Sequence, residues 1–357
     1  MTQNFTDLRI ALQSLGLKVP ADTVGRSGGA GPSEGRVVIV NNQYISVPTD
    51  SWFVKKSPYR VVRDNDRFQL FKNKTAVCEV SFPAVPHYYR LKSTTGIDLN
   101  KVALVHGRDC FASTVYQNCS SFKRGMECKF CGILLSLENN QTIETKDPEL
   151  LAETALKAMA LDHVTHVTLT SGQRATAGAT ISHLADCVFA LKQKTSLPIH
   201  VQICPTANEA DYVSLKNAGV DTLGIHIETC NMALLREIAP MKAKLGIDFY
   251  RRAWHLGVKH FGANQVSSFI IAGIGNSPAD ISASTELMAR NGVFPFVLPF
   301  RPIPGTRLEH LKPLPPEIMK NIYRASAAII KKYNLSSRKS KAGCVRCGTC
   351  SAITEFV

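Results

Sequence analysis

Cys119, Cys128 and Cys131, in the stretch CSSFKRGMECKFCGI, place three thiols in one loop. Three such thiolates can hold an iron–sulfur cluster. A four-iron cluster is normally closed by four cysteines, so a loop supplying three leaves one iron for a small molecule, much as a catalytic zinc site keeps one position open. A structural zinc loop or three unconnected thiols is the plainer reading of the same residues. Cys344, Cys347 and Cys350, in GCVRCGTCSA, form a second group with the two-residue gaps of a bacterial ferredoxin run. That run expects a fourth cysteine where this chain has Thr354, so a fourth ligand must come from elsewhere or be a substrate. Zinc accepts thiolates at the same gaps, and Cys128 and Cys131 could also combine with Cys344 and Cys347 around one zinc ion. An auxiliary cluster here could relay an electron, anchor a substrate or donate sulfur. Lys331, Lys332, Arg338, Lys339, Lys341 and Arg346 around the second group would stabilise a negative cluster and dock an acidic electron carrier.

The remaining cysteines, Cys78, Cys110, Cys187, Cys204 and Cys230, stand alone in sequence, and lone cysteines are most often small buried hydrophobes. Cys204 and Cys230 fall near strand ends and are the candidates for more. The ten histidines, His163 and His166 included, show no zinc spacing.

Elements that could position these groups follow from periodicity. Residues 1–98 read as a β-rich unit. An amphipathic helix from about Asp7 to Leu17 leads into a glycine-rich loop, Gly25 to Pro32, without the Lys-Ser/Thr ending of a phosphate loop. Two β-hairpins follow, Val37–Val40 with Tyr44–Val47 around Asn41 and Asn42, and Arg67–Phe71 with Thr75–Phe82 around Asn73. From 99 to 333 short apolar runs alternate with helix-length segments, the pattern of βα units and a parallel sheet. The strands are expected at Val102–Val105, Phe111–Tyr116, His166–Thr170, Ile199–Ile203, Thr222–Glu228, Val266–Ala272 and Phe294–Phe300. Between them Leu151, Ala155, Ala158 and Met159, and later Ile318, Ile322, Ala325 and Ile329, recur on single helix faces. Six or so units favour a partial (βα)6, TIM-like barrel over a doubly wound sheet. Residues 334–357 form a basic, cysteine-rich C-terminal extension.

Composition points to a reducing compartment. The 357 residues are 45% hydrophobic, with no run long enough for a membrane span and no basic-then-apolar leader at the N-terminus. Eleven cysteines in such a chain are metal ligands and reduced thiols before they are disulfides, and the expected location is the cytoplasm. The formal charge of +14 attracts nucleic acid, anionic substrates or acidic proteins. No RNA-recognition signature, basic zipper or finger spacing accompanies it, so nucleic acid is an unlikely partner.

In a βα barrel the site lies at the C-terminal ends of the strands. The first cysteine loop follows the strand ending near Tyr116. Thr170, Ser171 and Gly172 end the next strand, Glu228 another, and Gly273 with Gly275 another, while Arg301 and PIPGT (302–306) follow the last. Each has a plainer role: Thr170 and Ser171 as a helix N-cap, Glu228 as a surface carboxylate, Arg236 as a partner of Glu237.

The aromatic Phe130 just before Cys131 completes a pattern that resembles the radical S-adenosylmethionine (SAM) superfamily, with eight residues between the first two cysteines where the common form has three. HIETCNMALLREIAP (226–240) resembles the corresponding strand and helix of lipoyl synthases, and PIPGT resembles a turn near the end of biotin-synthase-like barrels. LQSLG, GRSGGAGPSEG, the long cysteine gap and CVRCGTCSA resemble a radical SAM family found with nitrilase gene clusters and implicated in cyanide assimilation.

The resemblance implies a 4Fe-4S cluster on Cys119, Cys128 and Cys131 whose fourth iron is chelated by SAM. Reductive cleavage would give a 5′-deoxyadenosyl radical that abstracts hydrogen from a small-molecule substrate, with reduced flavodoxin or ferredoxin as donor. Glu228 would bind the ribose or amino-acid part of SAM and Arg236 its carboxylate. Thr170, Ser171 and Gly172 would receive the methionine amine, Gly273 and Gly275 would admit the adenine, and Phe130 would pack at the cluster or adenine edge. The alternatives are a sulfur-inserting enzyme of the lipoyl type with a sacrificial second cluster, and a non-enzymatic zinc or nucleic-acid-binding protein.

Overall fold

The computed structural model describes residues 4–21, 23, 35–65 and 67–357. The glycine-rich stretch 25–32 lies outside them. Helix α1 (Phe5–Leu15) precedes a hairpin of β1 (Arg36–Val40) and β2 (Gln43–Val47). Asn41 and Asn42 both take positive φ at its turn, as a two-residue hairpin requires and as asparagine tolerates. β3 (Tyr59–Asp64), β4 (Arg67–Lys72) and β5 (Thr75–Val80) form a three-stranded antiparallel sheet, joined to the hairpin where Ile39 and Ser81 exchange backbone hydrogen bonds. The sequence foresaw both hairpins and missed β3, whose alternation is blurred by Arg60 and Arg63. Leu12, Val38, Ile45, Tyr59 and Leu70 close a small core between α1 and the strands.

The large sheet holds seven strands in the order β12-β11-β10-β9-β8-β7-β6. They are β6 (Leu104–His106), β7 (Cys110–Tyr116), β8 (His166–Ser171), β9 (Ile199–Gln202), β10 (Thr222–Gly224), β11 (Val266–Ala272) and β12 (Phe294–Pro299). β6 pairs antiparallel with β7, and all later pairs are parallel. A doubly wound sheet reverses its strand order at a switch point. Here chain order is spatial order, so right-handed crossovers stack the helices that connect the parallel strands on one side and the sheet curls into an open (βα)6 half-barrel.

The helices after the first are α2 (Ser120–Lys123), α3 (Leu135–Glu138), α4 (Pro148–Asp162), α5 (Ala177–Lys194), α6 (Glu209–Ala218), α7 (Met232–Ile238), α8 (Pro240–Leu245), α9 (Ile247–Phe261), α10 (Pro278–Ala289), α11 (Pro316–Lys332) and α12 (Gly343–Cys347). α4 packs on α5, α5 on α6, α6 on α9 and α10 on α11 around the outside. Asp147 caps α4 ahead of Pro148, and Ser277 with Asp280 forms a capping box on α10; each cap is worth about 1 kcal/mol.

Side-chain alternation separates two faces. Ile225 and Val266 meet Gly257 of α9, and Val167, Leu169, Ile199, Val201 and Leu223 are fully buried in the same apolar layer. The opposite, inner face is polar: Cys110 pairs with His166, Thr168 with His200, His200 with Thr222, and Gln202 with Gly224. A polar barrel interior is costly unless it serves a purpose, because buried polar groups need partners.

Candidate functional site: a cysteine loop at the barrel rim

The first cysteine loop leaves the C-terminal end of β7 and is tied down on three sides. Ser120 N donates to Gln173 O (2.7 Å), Lys129 N to Ile238 O (2.8 Å) and Leu308 N to Lys129 O (3.2 Å). Inside the loop Cys131 N donates to Cys128 O (2.9 Å), and Cys119 N donates to the Asn118 side chain (2.7 Å). Glu127 is buried and pairs with Arg307 beyond the PIPGT turn. A Cβ on Gly172 would stand 1.7 Å from Asn118 O, so only glycine lets the end of β8 meet the loop. Gly172 is thus close to protein backbone, where the sequence reading placed a methionine amine. Thr170 and Ser171 belong to β8; Ser171 Oγ donates to Gly172 O (2.8 Å), and the N-cap of the following helix is Thr176.

The three thiols face one another and a buried ion pair. Burial pushes Cys131 up to about 11, with Cys119 and Glu228 adding and Lys242 opposing. Cys128 is raised further, mainly by burial and then by Glu228, Cys131 and Cys119 against the pull of Lys242. Loading metal therefore means displacing protons from buried thiols. Cys204, just past β9, is buried in the same group beside Lys242, Cys119 and Glu228 and is pushed to about 11, chiefly by burial. Phe130 is half-buried and packs against the main core.

Glu228 is 4% exposed and holds φ at +67°, a left-handed conformation that costs a glutamate about 1–3 kcal/mol. Neighbouring strands hold it there: Glu228 N donates to Phe269 O (3.0 Å) and Ile271 N to Glu228 O (3.0 Å). The expected strand to Glu228 therefore ends at Gly224 and resumes as a single bridge to Ile270. Lys242 Nζ donates to both carboxylate oxygens (2.6 and 2.7 Å) and to His226 O (2.9 Å). Burial alone would lower this ammonium, yet Glu228, Tyr250 and Cys128 hold it well above the ordinary lysine range. Tyr250 is fully buried beside this pair with its hydroxyl unpartnered among the described residues.

The cation paired with Glu228 is the half-buried Lys242 on α8, whereas Arg236 is exposed on α7. Pro240 starts a new helix after α7, and the turn brings the lysine back over the strand ends. That proline was the legible signal for a second candidate. Gly273 (φ +102°) and Gly275 (φ +114°) end β11 as expected, but the space a side chain would occupy is met by Leu314 and Leu234.

The C-terminal group sits at the other end of the strands. Cys350 Sγ lies 3.2 Å from His106 Nε2, at the end of β6. A Cβ on Gly107, in the β6–β7 turn, would meet Cys347 Sγ at 2.9 Å, and one on Gly343 would meet His200 at 2.4 Å. Gln202 Nε2 donates to Cys344 Sγ (3.6 Å), and Thr349 Oγ1 lies 3.2 Å from Cys347 Sγ. β7, seven residues long, sets about 20 Å of strand between this base and the rim. A cavity of about 470 Å³ opens at the base, lined by Arg9, Arg108, Asp109, Arg338, Arg346 and Cys347 among others. Among the described residues no three His, Cys, Asp or Glu side chains converge on a single metal ion. Thiolates of a cluster do not converge in that way, because each binds a different iron.

No helix among the described residues is long and apolar enough to cross a membrane. No family model and no curated protein matches the chain. Among solved structures it is similar to methylornithine synthase (PylB), with TM-score 0.47 and 18% identity over 70% of this chain and 72% of that one. It is also similar to the FeFe-hydrogenase maturase HydG from Carboxydothermus hydrogenoformans (TM-score 0.45, 16% identity, 67% and 56% covered). A third similarity is to coproporphyrinogen III oxidase (HemN) from Escherichia coli, a radical SAM enzyme (TM-score 0.39, 14% identity, 58% and 50% covered). The chain thus spans about half the length of the latter two. At these scores the fold assignment rests on the strand order of the sheet itself.

Proposed function

We propose that this chain is a radical SAM enzyme acting on a small molecule inside the half-barrel. The observation that carries the reading is the gathering of Cys119, Cys128 and Cys131 at the rim, directly after the first parallel strand and against the buried Glu228–Lys242 pair. The donor set fits a 4Fe-4S cluster with one open iron: three half-buried thiols, no fourth in the loop, and charged groups of both signs beside them. Bound there, the cluster and SAM supply reductive cleavage of the sulfonium and a 5′-deoxyadenosyl radical for hydrogen abstraction.

The chain's own residues bind and orient. Cys119, Cys128 and Cys131 hold the cluster, and Phe130 shields it from water. Lys242, half-buried and paired with Glu228, takes the carboxylate of SAM, the role expected of Arg236. Glu228 holds Lys242 in place and offers its second lone pairs to the ribose or the amine. Thr170 and Ser171 line the rim on β8, and Gly172 keeps the loop seated.

Cys344, Cys347 and Cys350 hold a second metal centre at the base, beside arginines that suit an acidic, flavodoxin- or ferredoxin-like donor. The cysteine-rich, thiol-bearing design suits the reducing cytoplasm, and the nitrilase-cluster resemblance makes cyanide assimilation the pathway to try first.

The test is anaerobic reconstitution followed by dithionite and SAM. Formation of 5′-deoxyadenosine that disappears in the Cys119→Ala/Cys128→Ala/Cys131→Ala variant is expected. Full iron loading with no cleavage of SAM, or cleavage that survives in the variant, would overturn the reading.

A further inference from the structure

The C-terminal trio lacks a fourth cysteine in its own run, and the position that should supply it is Thr354. The barrel base provides another. Cys110 begins β7, on the inner face, as the direct cross-strand partner of His106 in the β6–β7 hairpin. His106 touches Cys350, and Gly107 in the same turn touches Cys347, so the hairpin lies on the trio at two points. Gly107 takes φ +66° and has no room for a Cβ, which is how the turn comes so close. Cys110 Sγ lies 3.2 Å from Thr168 Oγ1, Thr168 is the cross-strand partner of His200, and a Cβ on Gly343, next to Cys344, would meet His200, so the start of β7 and the trio share one stretch of the inner face. Cys110 is 1% exposed.

We propose that Cys110 supplies the fourth thiolate of a 4Fe-4S cluster held at the barrel base with Cys344, Cys347 and Cys350. The proposal rests on reading the C-terminal trio as metal ligands and is independent of the chemistry at the rim. Four thiolates close such a cluster, which makes this centre a fully ligated one, in contrast to the open rim site. Each sulfur has a side-chain hydrogen-bonding partner: Gln202 for Cys344, Thr349 for Cys347, His106 for Cys350 and Thr168 Oγ1 for Cys110 (3.2 Å). Hydrogen bonds to ligand sulfurs set a cluster's reduction potential. His106 is therefore a positioning residue that tunes the centre, and the thiolate beside it on the hairpin is the ligand. Assembly deprotonates the thiols, releases those protons to solvent, and takes sulfide with ferrous and ferric iron in equal amounts from solution, so the mixed-valent cluster forms without an added oxidant.

The experiment uses full-length protein carrying Cys119→Ala/Cys128→Ala/Cys131→Ala, so that iron reports on the base. After anaerobic reconstitution with iron and sulfide, about four irons per chain are expected. Adding Cys110→Ala should lower the count by at least one iron and change the EPR spectrum of the reduced protein. Adding His106→Ala should keep all the iron and shift only the midpoint potential. Cys110→Ser, close in volume, should assemble a cluster with an altered spectrum. In chains with native rim cysteines, retained rim iron and SAM cleavage in the Cys110 variants show that the barrel has folded. Full iron and an unchanged spectrum in Cys110→Ala, with loss in His106→Ala, would overturn the proposal in favour of the imidazole. A rim-deleted background that takes up zinc or no iron would also overturn it, and would leave the rim reading standing if the native chain still cleaves SAM.

Discussion

The barrel gathers cysteines at both ends, and the two ends are built differently. At the rim the thiols share their burial with an ion pair, Glu228 and Lys242, and with a tyrosine hydroxyl that has no partner among the described residues. At the base the trio meets polar side chains, a glutamine, a threonine and a histidine, while the charges are arginines around an open cavity. Buried charges of both signs are expensive to keep, and they suit a zwitterionic ligand that brings its own ammonium and carboxylate. Polar side chains around sulfur, with positive charge outside, suit a centre that stays ligated and changes only its oxidation state. The same residue type at similar spacing thus serves exchange at one end and retention at the other.

The sharpest way to break this contrast is at Gly172. An alanine there drives a Cβ into Asn118 O, and backbone cannot yield as a flexible side chain would. Gly172→Ala should remove most rim iron and SAM cleavage and leave base iron unchanged, measured as iron per chain with and without the C-terminal cysteines. Equal loss from both ends would mean that the two sites are one folding unit and would erase the contrast.

Lys242→Met comes next. It leaves Glu228 buried without its cation, which costs about 3–5 kcal/mol, and it removes the cation assigned to SAM. Denaturant unfolding of the metal-free protein should show the loss, and SAM binding should weaken at least tenfold. Arg236→Ala on the exposed face of α7 should change stability by less than about 0.5 kcal/mol. SAM binding that fails in Arg236→Ala and survives in Lys242→Met would return the carboxylate role to the arginine.

At the base a smaller, salt-dependent effect is expected. Arg338→Glu/Arg346→Glu reverses two charges at the mouth of the cavity and should slow reduction by an acidic flavodoxin several-fold at low ionic strength. The difference should shrink towards high salt, where charges beyond about 10 Å are screened. Reduction by dithionite should be unaffected. A rate indifferent to salt in both proteins would move electron entry away from the base.

Much of this architecture was legible in the chain, for identifiable reasons. Apolar runs such as VSSFIIA and FPFVLP mark parallel strands because both faces are covered, and six of them in register with helical segments give the half-barrel. The cysteine spacings showed two candidate centres. What stayed hidden depends on contacts between distant residues. Cys110 reads as a lone hydrophobic thiol until the hairpin turns it towards a tail more than two hundred residues away. Lys242 is one of several lysines until Pro240 redirects the chain. The strand through Glu228 looked continuous because its residues are apolar, whereas positive φ at Glu228 is imposed by β11 and leaves no trace in composition.

Lys146 offers the mildest probe of the rim, through its pH dependence. It is 1% exposed, donates to Thr142 Oγ1 and Ile143 O (both 2.7 Å), and reaches Gln117, which leads into the cysteine loop. Burial pushes its pKa down to about 7, against an ordinary lysine near 10.5. Between those values the unfolded chain binds a proton that the folded chain does not, so this residue makes stability rise with pH across that window, by on the order of 1 kcal/mol per unit at most. Below about pH 7 both states are protonated and the contribution is constant and unfavourable. Lys146→Met should therefore flatten the rise, stabilising the metal-free protein near pH 6 more than near pH 10, as read from urea unfolding at both values. Parallel pH profiles for the two proteins would show that Lys146 stays charged in the fold. Its three oxygen contacts would then be holding an ammonium beneath the rim, and the rim would contain a second buried cation with no carboxylate beside it.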